Sequence, residues 1–269
     1  MENLFLDFNY CDRGKDSLSN VHHSHGKCFE FVFVLSGEGM FLIDDVVFPI
    51  KANHLYIIDG MCTHCSVPAI PEDYTRRKLV VNGIMLESII DSFGEKSLLS
   101  DLFADGGRCI IPSPKYIDTI NDIFFEIEQA LSKDIAYKSV RINNQITNLL
   151  LVAADSANEN NSPYDQNITE ILKYIGENYT RNLSLDEISE STHLSKYYLC
   201  HLFKKSLNMS IFDYILSKRI SNAKLQLINS DLSISNIAMS VGFTDFSYFG
   251  KLFKKFEGVT PKEYRLINK

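Results

Sequence analysis

Three groups of side chains in this 269-residue chain have the types and spacing to do chemistry. The first is His23-x-His25-x4-Glu30-x6-Gly37. Two imidazoles and a carboxylate on neighbouring strands can hold a divalent metal, or line the mouth of a small-molecule pocket. His64 lies downstream in the run GMCTHC. The second group overlaps it, since Cys62-Thr63-His64-Cys65 spells C-x-x-C, the spacing of a redox pair or of half a zinc site. No second C-x-x-C completes a zinc site, so two ordinary cysteines in a loop is the plainer reading. The third group is basic. Leu202-Phe203-Lys204-Lys205 returns 50 positions later as Leu252-Phe253-Lys254-Lys255, pairing lysines suited to phosphates with an apolar anchor.

The elements that position these lysines are also repeated. Residues 184–214 and 233–264 share a rhythm, with Tyr198-Leu199 matching Tyr248-Phe249 and an offset of 49 further upstream. Self-similarity at a fixed period marks a repeated supersecondary unit. Each copy reads as a helix-turn-helix. In copy one, Ser184 and Glu187 form a capping box, Leu185 and Ile188 face inward, and Ser191-Thr192-His193 breaks the helix. Ser195 then caps a second helix with Tyr198, Leu199, Leu202 and Phe203 as its stripe. Copy two repeats this with Ile234, Ile237 and Ala238, the turn Val241-Gly242-Phe243, a cap at Thr244 or Asp245, and the stripe Tyr248, Phe249, Leu252, Phe253. Thr260-Pro261-Lys262-Glu263 opens a closing helix. Between the copies, Ile211 to Asn229 reads as one helix of roughly 30 Å, close to the roughly 34 Å of one B-DNA turn.

The stretch IAMSVGFTDFSYFGKLFKKFEGVTPKEYR resembles the signature of the AraC/XylS family of bacterial transcription regulators, over about 100 C-terminal residues. The resemblance implies that double-stranded DNA is read from the outward faces of the two second helices. The base-reading positions carry over to Tyr197, Cys200 and His201 in copy one and to Phe246, Ser247 and Lys251 in copy two. Ser195, Lys196, Lys204, Thr244, Asp245 and Lys254 complete the candidate interface. Cys200 departs from the commoner pattern and is a weak hydrogen-bonding group, which makes copy one a clamp as much as a reader.

Charge agrees with this division. The net charge is −7, yet residues 166–269 hold 14 basic against 10 acidic residues, and residues 1–165 hold 13 against 24. A basic half beside an acidic one suggests nucleic-acid contact by one half only. No run of 18 apolar residues exists, no basic region leads into an apolar core at the N-terminus, and the six cysteines are scattered. Those features predict no membrane partner, no signal peptide and reduced thiols in the cytoplasm.

The fold expected is α+β in two domains. Residues 1–86 read as strands, at Leu4–Tyr10, Phe29–Leu35, Met40–Ile43, Val46–Ile50, Leu55–Ile58, Arg77–Val81 and Gly83–Leu86. The runs EFVFVLSGEGMFLIDD and FPIKANHLYIIDG resemble the cupin-like sensor barrel of the same family. Residues 87–155 read as helical, with a hairpin that the resemblance makes a dimer interface. SANENNSPYD at 156–165 is a linker, and 166–269 is an all-α DNA-binding domain with tandem helix-turn-helix motifs. His23, His25, Glu30 and His64 are the candidate ligand-binding residues. His23, His25, Glu30 and Gly37 match the spacing of the first cupin motif; the second, another His after Pro-x-Gly, is poorly matched because GMCTHC lacks the proline before His64, so no metal or other cofactor is expected.

The function these readings imply is not enzymatic. It is sequence-specific DNA binding by a dimeric regulator that senses a small-molecule effector and activates transcription with RNA polymerase. Two other classes compete: a ligand-independent regulator whose barrel only oligomerises, and a cupin-type metalloenzyme, which needs a complete metal shell.

Overall fold

The strand half is built on alternation. A computed structural model of the chain describes residues 5–13, 27–95, 97–103, 106–157 and 166–268. Eight strands are present among them: β1 (Phe5–Arg13), β2 (Cys28–Ser36), β3 (Gly39–Ile43), β4 (Val46–Ile50), β5 (Leu55–Asp59), β6 (His64–Pro68), β7 (Thr75–Asn82) and β8 (Gly107–Ile110). They form a five-stranded sheet in the order β1-β7-β2-β5-β8 and a three-stranded sheet β4-β3-β6. Every pairing is antiparallel. Along β2, Val32 and Val34 join the cluster between the sheets, while Phe29, Phe31 and Phe33 join the cluster on the far side. Along β3, Phe41 and Ile43 face the same interior and Met40 and Leu42 face away. A period of two puts alternate side chains on opposite faces.

Three expectations change here. The expected barrel does not close, and β1, β8, β4 and β6 remain as edges of two facing sheets. Aromatic rings fill the space between them, with Phe41 stacked on Tyr56 at 4.3 Å between centroids. Phe48 and Tyr74 complete the layer. Gly83–Leu86 is not a strand but the first turn of α1 (Gly83–Ser92). Asn82 caps that turn by accepting a hydrogen bond from the Met85 amide, and Gly83, Leu86 and Ile90 are buried at helical spacing. The sheet also runs past the expected boundary at residue 86, because β8 pairs with β5. Neither β8 nor β6 stood out in the sequence.

The helices are α2 (Ser97–Phe103), α3 (Pro114–Ser132), α4 (Lys138–Ser156), α5 (Gln166–Asn178), α6 (Leu185–Thr192), α7 (Lys196–Leu207), α8 (Ile211–Asn229), α9 (Ile234–Ser240), α10 (Phe246–Glu257) and α11 (Pro261–Asn268). From residue 158 on, the expected linker lies outside the described residues; α4 takes in Ser156. No helix among the described residues is long and apolar enough to cross a membrane.

Four hydrophobic clusters order the layers. Helices α1–α4 pack on the outer face of the five-stranded sheet, for example through Ile120, Phe124, Ile127, Ile146 and Leu150. The inter-sheet cluster follows. The outer face of the three-stranded sheet (Met40, Leu42, Val47, Cys65, Val67) then shares a third cluster with α5–α8, including Ile171, Ile175, Leu202, Phe203 and Tyr214. The fourth belongs to α8–α11.

A polar joint pins the third layer. The turn between β3 and β4 carries Asp44, in the left-handed region at φ 48°, and Asp45. Lys218 of α8 donates to Asp45 Oδ1 at 2.7 Å, and the Tyr214 hydroxyl donates to Asp44 O and Asp45 Oδ1, both at 3.3 Å. The turn comes so close to α5 that a Cβ on Gly176 would collide with the Asp45 carboxylate. Burial pushes the Asp45 carboxyl above its usual range, and Lys218 pulls it only part of the way back. The pair is therefore better at fixing register than at adding stability. Asp45→Ala should lower unfolding free energy by about 1–3 kcal/mol, less than for a fully buried pair because Asp45 keeps 29 % of its side-chain exposure. Asp45→Ala/Lys218→Met should recover most of that loss in urea titrations. A double variant weaker than the single one would show instead that the pair is a net source of stability.

Candidate functional site

The reading helices are set by their caps. In copy one, the Ser184 hydroxyl accepts from the Glu187 amide at 3.2 Å and Glu187 accepts from the Ser184 amide at 2.9 Å, the complete capping box. The Ser184 amide, with Arg181 beside it, holds the Glu187 carboxyl down at about 2. The helix ends on His193 at φ 55°. Ser195 caps α7 by accepting from the Tyr198 amide at 3.3 Å. In copy two, Ser233 caps α9, Gly242 makes the turn at φ 97°, and Asp245 caps α10 by accepting from the amides of Ser247 and Tyr248 at 2.7 and 3.0 Å. Asp245 rather than Thr244 is thus the cap.

Beneath these caps Leu199, Leu202 and Phe203 are buried in copy one, and Phe249, Leu252 and Phe253 in copy two. Tyr198 and Tyr248, expected in the same stripes, are instead 43 % and 46 % exposed. Each precedes the first buried position of its helix by one residue, about 100° round the axis, which takes the ring to the edge of the stripe. The twelve candidate DNA-contacting residues all lie on the exposed side: Ser195, Lys196, Tyr197, Cys200, His201 and Lys204 on α7 or its cap, and Thr244, Asp245, Phe246, Ser247, Lys251 and Lys254 on α10 or just before it. Tyr197 is 83 % exposed and Phe246 54 %. Large rings held this far out of the core are available to base edges. Tyr197 stacks on His201, with ring planes 7° apart. Lys204 and Lys254 sit in the last turns, where a cation also complements the helix dipole. Lys196 is committed elsewhere, in an ion pair with Asp186 of α6.

Of the four candidate ligand residues, His23 and His25 fall outside the described residues. Glu30 and His64 come together between the sheets. His64 Nε2 lies 2.9 Å from Glu30 Oε2, and both residues are buried. The other ring nitrogen, Nδ1, faces the Cys62 carbonyl at 3.2 Å, which can only accept. The direction of the Glu30–His64 hydrogen bond follows the imidazole tautomer. His64 lies parallel to Phe41, at the edge of the aromatic layer. Among the described residues, no group of three His, Cys, Asp or Glu side chains is placed to hold a metal ion.

The C-x-x-C cysteines face different clusters, Cys65 the layer shared with α5–α8 and Cys62 the inter-sheet interior. Burial pushes both thiols up, Cys65 to about 12, so neither is thiolate near neutral pH. Residues missed in the sequence are Asp45, Lys218 and Arg219. Gly176, inside a helical pattern, was a signal for the Asp45 approach alone, because a glycine there weakens the helix relative to alanine.

A helix-turn-helix domain model matches residues 188–266. The HTH-type transcriptional activator AarP of Providencia stuartii is 36 % identical over 99 residues, covering 37 % of this chain and 73 % of AarP. The chain belongs to the AraC/XylS family of transcription regulators. Among other relatives in this family, the Msm operon regulatory protein of Streptococcus mutans is 24 % identical over 98 % of each chain. The arabinose operon regulatory protein of Escherichia coli is 30 % identical over 57 % of this chain and 53 % of its own. The two-part fold and the DNA-binding role of an AraC/XylS regulator apply here.

Position along the helix separates two kinds of candidate contact, with Lys204 and Lys254 in the last turns and Phe246 and Lys251 nearer the start or middle of α10. Phe246→Ala or Lys251→Ala should weaken sequence preference by about 1–3 kcal/mol at the affected base pairs. Lys204→Ala or Lys254→Ala should weaken binding nearly uniformly across sequences and reduce the salt slope by about one. Filter binding to specific and random duplexes at several salt concentrations separates the two. Equal losses on both duplexes for all four variants would falsify this assignment.

Proposed function

We propose that this regulator works in the cytoplasm as a homodimer that senses a small-molecule effector and activates transcription with RNA polymerase. The observation that carries the DNA end of this reading is the placement of all twelve candidate contacts outside the buried stripes of α7 and α10. Their helices sit on either side of α8, whose 19 residues span roughly 30 Å. That length suits readers placed in successive major grooves. Ser195 and Asp245 act chiefly through their caps, orienting the residues that follow.

The effector end rests on the Glu30–His64 pair. A buried, hydrogen-bonded acid–imidazole contact beside stacked aromatic rings is a site where an incoming hydroxyl, carboxylate or amine can exchange hydrogen bonds, with His23 and His25 as further candidates. Among the described residues, the three-stranded sheet lies between this interior and the DNA-binding half. An effector that spreads the two sheets would therefore bias the Asp45–Lys218 joint on that sheet's other side. Such coupling is typically worth about 1–3 kcal/mol. The dimer reading is supported by α4, where Val140 and Leu151 are exposed and, eleven residues apart, lie on one face. Joint engagement of two sites by a dimer raises affinity without new contacts.

A thermal-shift screen of small metabolites tests the sensor. A true effector should raise the melting temperature of the wild type by mass action and leave His64→Ala unmoved. A library that shifts neither protein would favour ligand-independent regulation. In sedimentation equilibrium, Val140→Glu/Leu151→Glu should convert dimer to monomer while single-site DNA binding survives. A wild type that is monomeric at working concentrations removes the dimer.

A further inference from the structure

The two helix-turn-helix copies have separate hydrophobic cores. Ile211, Tyr214 and Ile215 of α8 belong to the first, and Ile220, Ala223 and Leu227 to the second. If α8 were their sole connection, twisting of one helix would let the readers swing against each other. Arg219 lies at the changeover between the cores. Its Nε donates to the Tyr179 carbonyl at 2.7 Å and its Nη2 to the Arg181 carbonyl at 2.8 Å. Both carbonyls follow the C-terminal end of α5, where acceptors are left without helical donors and the helix dipole favours a cation. The same guanidinium lies 5.7 Å from the ring centroid of Phe243, in the turn of copy two. That turn presses on the same loop, since a Cβ on Gly242 would collide with the Thr180 carbonyl. Tyr179 packs against both cores. One planar cation thus holds the α5–α6 loop that leads into copy one on one side and the turn before α10 on the other.

We propose that Arg219 is a positioning residue that fixes the angle between the two DNA readers, so that the spacing of the two boxes in the operator is read by its guanidinium bridge. It makes no contact with DNA in this role. The guanidinium suits the task because its fork reaches two carbonyls while its flat face stays on a ring. A lysine supplies one point charge and cannot do both. The proposal rests on the tandem-reader interpretation of α7 and α10.

The test begins by selecting an operator from random duplexes with the wild-type protein. Versions are then made with either box scrambled and with one base pair inserted or deleted between the boxes. The wild type should prefer the intact operator and lose affinity on a change of spacing. Arg219→Ala should bind the intact operator at least about tenfold more weakly, as linkage between two modules is lost. Its affinity for each single-box duplex should stay within about twofold, and its penalty for altered spacing should shrink. Arg219→Lys should resemble Arg219→Ala, and Gly242→Ala should reproduce the phenotype by wedging the same seam from the other side. Circular dichroism and thermal melting of each variant report folding. Parallel loss on intact and single-box duplexes, with a lowered melting temperature, would make Arg219 a general fold support and overturn the proposal. Unchanged spacing dependence would overturn it too. A wild type that gains nothing from a second box would instead remove the tandem-reader interpretation, an outcome distinct from failure of the Arg219 bridge alone.

Discussion

Three cations on one helix hold the molecule in register. α8 is buried on several sides, and successive long basic side chains leave it toward different bodies. Lys218 goes to the β3–β4 turn, Arg219 to the α5–α6 loop and the copy-two turn, and Lys224 to Glu257 at the end of α10, at 3.0 Å. Lys218 and Lys224 are themselves buried, a state that long cations tolerate only when paired. Each would be strongly penalised without its partner, so the partners must arrive together. Apolar packing drives α8 into the centre of the DNA-binding half. The cations decide at what angle it sits.

The legible parts of the sequence were those governed by local rules. The capping boxes at Ser184–Glu187 and Thr260–Glu263 were readable because their chemistry is complete within four residues. The bounds of α8 at Ile211 and Asn229 agree with the sequence pattern, and Ser210 caps its start by accepting from the Asp213 amide. The family and the two-part fold were likewise readable from the repeat. Harder cases arose where distant pairing decides. β6 begins with His64 and Cys65, poor advertisements for a strand, and exists because it adds to β3. β8 is four residues long and exists because β5 offers a free edge. Gly83–Leu86 has strand-like composition, but the Asn82 side chain captures the Met85 amide and starts a helix. Asp45, Lys218 and Arg219 were invisible for the same reason: a charged residue in sequence looks like surface until its partner, many positions away, is placed beside it.

The candidate ligand residues were partly legible. Glu30 and His64 were singled out by residue type, but nothing in the spacing showed that they would meet, since 34 positions separate them. Strand alternation brings Glu30 to the inner face of β2, and the turn after β5 brings His64 under it. Such a pair is costly unless satisfied. Its position inside a layer made largely of aliphatic and aromatic side chains is a departure from ordinary core chemistry that invites a functional account.

The three-stranded sheet has a consequence of its own. It is one residue thick, and its two surfaces belong to different cores: Phe41 and Ile43 press inward while Met40 and Leu42, their immediate chain neighbours, press against the DNA-binding half. A slip of one residue in β3 would exchange the two sets. Substitutions that reshape the space between the sheets must therefore be made on a partition whose reverse side is already spoken for, so change in that interior is tied, residue by residue, to how firmly the helical half is held.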